Sequence, residues 1–182
     1  IGKFKTLEAL DLVKLICENI TNDFEIKIIG SRVFGIVDSD YDIVILGNIN
    51  EEIFNNKFFN FSRMTPYFKY SKLLESKMNS INLITNSNEE INLIYSNKKN
   101  TNIYVNDSIK HIEIVKDLTK DNFKFFCDCY YCIRTWAIKR KIYGSKYGYL
   151  NGISWLYLTL NLFLKDNFKN KKIFVKEFFN FY

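Results

Sequence analysis

The stretch IIGSRVFGIVDSDYDIVIL, residues 28–46, constrains the fold more than any other part of the chain. Two apolar runs typical of β-strands enclose a Gly-Ser corner and a pair of aspartates, Asp40 and Asp42. Because side chains alternate between the two faces of a strand, we expect these aspartates to point to the same side. Like charges so close together disfavour folding unless a cation lies between them. The stretch therefore predicts a strand, a turn and a second strand that carries an acidic site.

The aspartate pair is a short motif, and two solvated surface residues are the simpler explanation of it. The preceding Gly30 and Ser31 favour a functional interpretation. A Gly-Ser corner after a strand can present backbone N–H groups and a hydroxyl to an anion, since glycine permits close approach. Mg²⁺ (or Mn²⁺) suits the carboxylates, because hard cations bind carboxylate oxygens and bridge to phosphates. Phosphoryl or nucleotidyl transfer is the chemistry that this combination indicates.

The periodicity of the remaining chain predicts an α+β unit followed by a helical unit. Helical spacing of apolar residues predicts helices over TLEALDLVKLICENI and EEIFNNKFFNF. Alternation in SINLITN and EEINLIY predicts a β-hairpin, and NIYVN is compatible with one more short strand. After about Asp107 the pattern is helical, with one long helix ending at Gly144, an apolar helix over NGISWLYLTLNLFLK and a third over KKIFVKEFFNFY.

Composition limits the classes of protein and partner. The chain has 182 residues, of which 47% are hydrophobic, and this is enough to bury a core. Its net charge of +6 fits an anionic partner such as nucleotide or RNA. Three of the four cysteines lie in CDCYYC, but His111 is the only histidine, so we expect reduced thiols in an intracellular protein rather than a metal site. No apolar run is long enough to span a bilayer, and no membrane partner is expected.

The motifs resemble those of a known superfamily. GSRVFGIVDSDYDIVI is similar to the signature of DNA polymerase β-like nucleotidyltransferases: Gly-Ser, a short helix, then Asp-x-Asp on the next strand. CIRTWAIKRKIYGSKYGYLNGISWLYL resembles, without a gap, the central domain of eukaryotic-type poly(A) polymerases, and FVKEFF resembles that family's next helix. The resemblance implies a catalytic domain over residues 1–110, built on a mixed sheet with flanking helices. A helical central domain would follow over residues 111–182.

The resemblance also implies roles for individual residues. Asp40 and Asp42 would be catalytic and would bind two Mg²⁺ (or Mn²⁺) ions, while Gly30 and Ser31 would hold the triphosphate of ATP. The helical half would complete the nucleotide site with Arg134 and Tyr143 at the phosphates and Gly152 and Ile153 beside the adenine. We expect Trp136 and Trp155 to be packing residues rather than ligands.

One position departs from the family pattern. The family has a third catalytic aspartate on a later strand, and EEINLIY places Asn92 there. An amide carries no charge, binds Mg²⁺ more weakly than a carboxylate and cannot act as a base toward the attacking 3′-hydroxyl. Glu90, two residues earlier on the same face of the strand, is a candidate substitute. Catalytic competence therefore depends on what surrounds Asn92.

The expected function is that of a polynucleotide adenylyltransferase, which adds AMP from ATP to RNA 3′ ends and releases pyrophosphate. Two alternatives stay open: another nucleotidyltransferase, such as a terminal uridylyltransferase, and a catalytically impaired nucleotide- or RNA-binding subunit. The expected protein partners are a second copy of this chain, in a homodimer, or an accessory subunit. The chain ends before the family's C-terminal RNA-binding domain, so we expect a fragment or a minimal polymerase. The abundance of Asn, Lys, Ile and Tyr indicates an AT-rich coding genome. Together with the diverged motif, this suits a viral or parasite enzyme, which would be nuclear if cellular and cytoplasmic if from a cytoplasmic DNA virus.

Overall fold

The computed structural model describes residues 8–37, 39–75 and 79–182. These residues form two compact units. The first unit comprises the described parts of Ile1–Arg32 and Asp38–Ile109, and the second comprises Val33–Val37 and Lys110–Tyr182. No helix within the described ranges combines the length and the hydrophobicity needed to cross a bilayer.

A mixed five-stranded sheet is the framework of the first unit. Its strands are β1 (Phe24–Ile29), β2 (Tyr41–Gly47), β3 (Phe68–Leu74), β4 (Ser80–Thr85) and β5 (Glu90–Asn97), in the spatial order β1-β2-β5-β4-β3. Strands β2 and β5 run parallel, and the other three neighbouring pairs are antiparallel. The two strands predicted around the Gly-Ser corner and the predicted hairpin, which is β4 and β5, are confirmed.

Two helices cover one face of this sheet. They are α1 (Ala9–Ile20) and α2 (Glu51–Met64), both predicted from their apolar spacing. The side chain of Asn50 caps α2 by accepting hydrogen bonds from the backbone N–H groups of Glu52 and Ile53. Helices and strands share one core, formed by Ala9, Val13, Ile16, Cys17, Ile43, Ile45, Phe54, Phe58, Ile81, Leu83, Ile91, Leu93 and Tyr95. Because strand residues alternate, Asp42 and Val44 face the other side of the sheet.

Strand β3 was not predicted from the sequence. It lies at the edge of the sheet and is paired with β4 alone. Lys69, Tyr70 and Lys72 are exposed along it, so its hydrophobic alternation is weak. Polar and basic residues are a common means of protecting an edge strand from pairing with another chain, and here they conceal the strand signal.

The short strand considered for NIYVN is wrong, because this segment begins helix α3 (Ile103–Thr119). The side chain of Asn102 accepts a hydrogen bond from the backbone N–H of Tyr104, as a helix-capping residue does. Val105 is buried while Ile103 and Tyr104 are exposed. The β-branched residues suggested a strand, but the cap and the helical periodicity of the following residues override that local preference.

The second unit contains the C-terminal part of α3 and three further helices, all three of them predicted. They are α4 (Phe123–Lys139), α5 (Gly152–Phe163) and α6 (Lys171–Phe181), and α4 packs against both of the others. Trp155 is buried, and the ring centroid of Trp136 lies 4.3 Å from that of Phe179. The expectation that both tryptophans pack within the protein agrees with these contacts.

Helix α4 ends at Lys139, earlier than the predicted end at Gly144. The backbone N–H of Lys141 donates to the carbonyl of Ile138 at 2.9 Å, and that of Ile142 donates to the carbonyl of Ala137 at 3.0 Å. These two bonds form a helix-terminating motif that normally has glycine in its left-handed position. Lys141 occupies that position with φ 59°, so the usual sequence signal for the end of the helix is missing.

Candidate functional site

Asp42 lies on the sheet face opposite to α1 and α2. Its register partners are Ile29 in β1 and Asn92 in β5. Side chains of paired residues project from the same face, and the amide Nδ2 of Asn92 donates to Asp42 Oδ1 at 3.2 Å. The structure therefore brings together two of the three residues predicted to be catalytic.

Three effects act on the pKa of the half-buried Asp42 carboxyl group. Burial raises its pKa, the hydrogen bond from Asn92 lowers it, and the negative charge of Asp40 raises it again. Asp40 is exposed and precedes β2, which begins at Tyr41, so only Asp42 lies in the strand as expected. The two carboxylates are nevertheless close enough to interact electrostatically.

Gly30 lies against the same carboxylate. Its φ of +71° is in the left-handed region, and a Cβ at this position would overlap Asp42 Oδ2. Ser31 follows directly and opens a short 3-10 helix, Ser31–Phe34, which is the helical turn that the sequence predicted. Position 30 therefore favours glycine for two reasons: the left-handed backbone conformation and the lack of space for a side chain next to Asp42.

Arg32 contacts the residues on both sides of Asp40. Its Nε donates to the backbone carbonyl of Ser39 at 2.7 Å, and its guanidinium carbon lies 3.5 Å from the ring centroid of Tyr41. Arg32 thereby restrains the backbone around Asp40. The sequence alone did not indicate this role, because an arginine in a turn can point in many directions.

A row of polar side chains continues across the same face of the sheet. Asn92 in β5 pairs with Asn82 in β4, and Asn82 pairs with Lys72 in β3. The sequence contains a signal for Asn82 that the prediction did not use: both hairpin strands contain Ile-Asn-Leu-Ile, with the asparagine in the same phase. Glu90, the suggested substitute for a third carboxylate, is exposed at the start of β5.

The residues around Asp42 fit a divalent cation. Asp40 and Asp42 supply carboxylate oxygens, and the Asn92 amide can present its oxygen or its nitrogen, since the two ends are assigned from the hydrogen-bond pattern. Within the described ranges, which leave out Asp38, no group of three His, Cys, Asp or Glu residues could hold a metal ion. Among the described residues, the oxygen ligands offered to a cation here are those of Asp40, Asp42 and Asn92.

A second cluster lies in the helical unit. Arg134 Nε donates to the Tyr143 hydroxyl at 3.2 Å, and its guanidinium carbon lies 5.2 Å from the ring centroid of that tyrosine. A Cβ on Gly152 would lie 2.5 Å from the same hydroxyl. The buried Tyr130 donates its hydroxyl to the carbonyl of Gly152 at 3.1 Å. Arg134, Tyr143 and Gly152, three of the four residues predicted for this half of the nucleotide site, are thus close together in the structure. The fourth, Ile153, is partly exposed in the first turn of α5.

The cysteines have no part in either cluster. All four are free, and Cys17, Cys127 and Cys129 are buried. Burial raises the pKa of Cys127 to about 11 and that of Cys129 to about 12, so both thiols are protonated at neutral pH. Within the CDCYYC segment, Cys127 and Cys129 are therefore part of the buried face of α4.

No family model matches the sequence, and no curated protein is significantly similar to it. Solved structures do match. A cytoplasmic RNA terminal U-transferase aligns with a TM-score of 0.72 and 18% identity over 95% of this chain and 63% of that chain. A Cid1 poly(U) polymerase mutant bound to MgATP aligns with a TM-score of 0.71 and 19% identity over 88% and 50%. The GLD-2–GLD-3 poly(A) polymerase complex aligns with a TM-score of 0.67 and 11% identity over 86% and 51%.

These likenesses establish the fold. The chain spans between 50% and 63% of the length of the three matched chains, at identities of 11–19%. Its mixed five-stranded sheet with flanking helices agrees with the architecture that the resemblance of the Gly-Ser and Asp-x-Asp motifs implied. The neighbours named here comprise two enzymes of uridylyl transfer and one poly(A) polymerase, so the fold by itself does not distinguish between the two nucleotides.

Proposed function

We propose that this chain is the catalytic part of an RNA 3′-terminal nucleotidyltransferase that transfers AMP from ATP. The observation that carries the proposal is the contact between the Gly-Ser corner and the acidic site. Because Gly30 has no side chain, the end of β1 lies against the Asp42 carboxylate. A phosphate held at the corner and a cation held by the aspartates would therefore be neighbours, which is what a nucleotide–metal complex needs.

In this proposal the residues of the sheet site mainly bind and orient. Gly30 and Ser31 present backbone and hydroxyl groups to the triphosphate, and Asp40 and Asp42 hold Mg²⁺ or Mn²⁺. When bound, the cation would offset negative charge on the phosphates as the RNA 3′-oxygen attacks the α-phosphorus and pyrophosphate leaves. Asn92 orients Asp42 through its hydrogen bond. It does not act as the base, because an amide cannot accept the proton of the 3′-hydroxyl.

We assign residues 111–182 to the central domain of such an enzyme and residues 1–110 to its catalytic domain. In the helical part, Arg134 supplies a positive charge that Tyr143 orients through its hydroxyl. Gly152 and Ile153 open α5, where backbone N–H groups and a partly exposed apolar side chain are available to a nucleobase. We propose that both residues contact the adenine. This contact depends on the absence of a side chain at Gly152 and on the position of both residues at the start of α5.

Extension of a labelled RNA oligonucleotide tests the proposal, with ATP, UTP, CTP and GTP supplied separately and Mg²⁺ or Mn²⁺ present. We expect extension with ATP and a loss on the order of 10³-fold in Asp42→Asn, since a bound cation contributes several kcal/mol to such a transition state. Asp40→Asn should show a large loss too. Asp107→Asn, which changes an exposed aspartate on α3, is the matched control. Extension by Asp40→Asn and Asp42→Asn at the wild-type rate would refute the assignment.

Uridylyl transfer is the second candidate. Two of the three solved structures named above belong to enzymes of uridylyl transfer, and both have the higher TM-scores. The same assay decides between the candidates, because it ranks the four nucleotides on one enzyme preparation. A rate with UTP well above that with ATP would replace the adenylyl assignment while leaving the aspartate roles intact.

A nucleotide- or RNA-binding subunit without catalysis is the third candidate, and Asn92 is the observation that favours it. Its amide donates to Asp42 at the position where a third carboxylate would lie. Such a subunit would bind ATP in the presence of Mg²⁺ without extending RNA. Asn92→Asp would then introduce activity, whereas in an enzyme that works with Asn92 the wild-type chain already extends the primer.

A further inference from the structure

The helical unit contains a cavity of about 610 Å³, lined by Ile138, Lys141, Tyr143, Tyr147 and Tyr149. Its volume falls in the range typical of small-ligand sites. Tyr147 and Tyr149 are both exposed, with 72% and 48% of their surface accessible. Neither was singled out in the sequence, and neither belongs to the cluster of Arg134, Tyr143 and Gly152.

The loop that carries these tyrosines is held by backbone hydrogen bonds. The N–H of Gly144 donates to the carbonyl of Leu150 at 2.9 Å, and the N–H of Tyr147 donates back to the carbonyl of Gly144 at 3.0 Å. A short 3-10 helix, Ser145–Tyr147, lies between them. The exposed rings therefore project from an ordered loop, which reduces the entropy that a ligand would lose on binding.

Tyr143 belongs both to this cavity and to the cluster that it forms with Arg134 and Gly152. Its hydroxyl accepts the hydrogen bond from Arg134 and lies against Gly152, and Tyr143 is also one of the residues that line the cavity. Lys141 lines the cavity as well, and it holds a left-handed backbone conformation that glycine would adopt with less strain. A strained residue that contributes a cation to an aromatic cavity is a reason to examine binding there.

The charge of the surrounding sequence fits an extended anion. Between Asp128 and Asp166 the sequence contains no acidic residue and six basic ones, which are Arg134, Lys139, Arg140, Lys141, Lys146 and Lys165. Lys139, Arg140 and Lys146 are exposed and flank the cavity-lining residues in sequence. A free nucleotide would need one or two of these charges, whereas a strand with successive phosphates can use several.

We propose that this tyrosine cavity binds a nucleobase of single-stranded RNA, with Lys141 contacting the adjacent phosphate. Stacking of bases on exposed aromatic rings beside a basic track is a common way in which proteins bind single strands. The inference rests on the proposed function in that RNA is taken as the substrate. It adds an RNA contact in the helical unit, in a cavity that shares Tyr143 with the proposed triphosphate contacts.

Fluorescence anisotropy with a short labelled oligouridylate tests this inference, without nucleoside triphosphate and with EDTA present. Tyr147→Ala and Tyr149→Ala should each raise Kd about fivefold or more, the effect expected for losing one base stack. Lys141→Ala should weaken binding and reduce the salt dependence by about one phosphate contact. The matched controls are Tyr131→Ala and Lys124→Ala, which change exposed residues of α4 outside the cavity and should leave Kd unchanged.

Two further measurements separate stacking from other effects. Tyr147→Phe keeps the ring and should bind RNA like the wild type, which also guards against a loss caused by misfolding. The wild type should bind an oligonucleotide of the same length with abasic residues more weakly than it binds the oligouridylate. For this abasic strand, Tyr147→Ala and the wild type should have the same Kd. The proposal is wrong if the tyrosine variants bind the oligouridylate as tightly as the controls do.

The outcomes distinguish this inference from the proposed function. Normal RNA binding by the tyrosine variants, together with extension that depends on Asp42, would overturn the cavity assignment and leave the enzyme assignment standing. RNA binding that depends on Tyr147 and Tyr149, in a chain that extends no primer with any nucleotide, would support the cavity and contradict the enzyme.

Discussion

The two candidate sites of this chain differ in the sign of the charge that remains uncompensated. On the sheet, Asp42 is half-buried beside the charge of Asp40 and accepts a hydrogen bond from Asn92. In the helical unit, Arg134 lies over an aromatic ring in a stretch of sequence without acidic residues. The first site would be stabilised by a cation and the second by an anion.

The largest effect on the sheet site is expected from Gly30→Ala. The new Cβ would overlap the Asp42 carboxylate and also require a strained left-handed backbone, so unfolding free energy should fall by about 2–3 kcal/mol and extension should be lost. Gly35→Ala is the control, since its φ is +79° but the nearest atom to a Cβ, that of Cys127, is 3.9 Å away. It should cost only about 1 kcal/mol. Equal losses in urea denaturation would show that Gly30 and Asp42 are not in close contact.

Asn92→Asp sharpens the contrast by adding negative charge to the sheet site. Affinity for Mn²⁺ should rise about tenfold, while stability without a cation should fall by about 1–2 kcal/mol because a donor to Asp42 becomes a third carboxylate. Asn82→Asp lies in the same row but one strand further from Asp42, and both effects should be smaller there. Mn²⁺ titration and thermal unfolding in EDTA measure the two quantities. Unchanged Mn²⁺ affinity in Asn92→Asp would place the cation away from this row.

Arg32→Lys tests whether the backbone around Asp40 must be held in place. Lysine keeps the charge but loses the Nε donor to Ser39 and the planar group over Tyr41, so the half-saturating Mg²⁺ concentration should rise about threefold, corresponding to less than 1 kcal/mol. Arg63→Lys is the control, because Arg63 lies over the ring of Phe59 on α2, away from the aspartates. A purely structural role for Arg32 would lower stability and leave the Mg²⁺ dependence unchanged.

The smallest expected effect is that of Lys141→Gly, at the end of α4. Lys141→Gly should raise the unfolding free energy by up to about 1 kcal/mol, since glycine relieves the left-handed strain at the end of α4. Lys120→Gly, also at positive φ, should stabilise the protein similarly. Affinity for single-stranded RNA separates the two variants, because Lys141 alone lines the tyrosine cavity. Loss of stability in Lys141→Gly would contradict the inferred strain, and equal RNA affinities would contradict its role in binding.

Local patterns predicted most of the fold. The apolar runs on each side of the Gly-Ser corner, the alternating hairpin and the amphipathic helices all formed as expected, because burial enforces the same period as the sequence. Errors arose where another interaction prevailed. Polar residues concealed the edge strand β3, the Asn102 cap made NIYVN the start of a helix, and Lys141 took the position of a terminating glycine.

The candidate sites were predictable to a lesser extent. Motif spacing placed Gly30 with Asp42 and, on the later strand, Asn92, because strand order and register follow from the resemblance to a known fold. The contacts of Arg32 and the tyrosine cavity depend on how loops close in three dimensions, and no periodicity encodes them. The same applies to the exact start of β2, which leaves Asp40 just outside the strand.

The central claim is that Asp40 and Asp42 together hold a divalent cation. Titration of the protein into Mn²⁺, with the free ion followed by electron paramagnetic resonance, tests it without requiring catalysis. The claim predicts that the wild-type chain takes up Mn²⁺ and that Asp40→Asn and Asp42→Asn each weaken uptake by about tenfold or more, with Asp107→Asn unchanged. Uptake that is identical in the wild type and in both aspartate variants would contradict it.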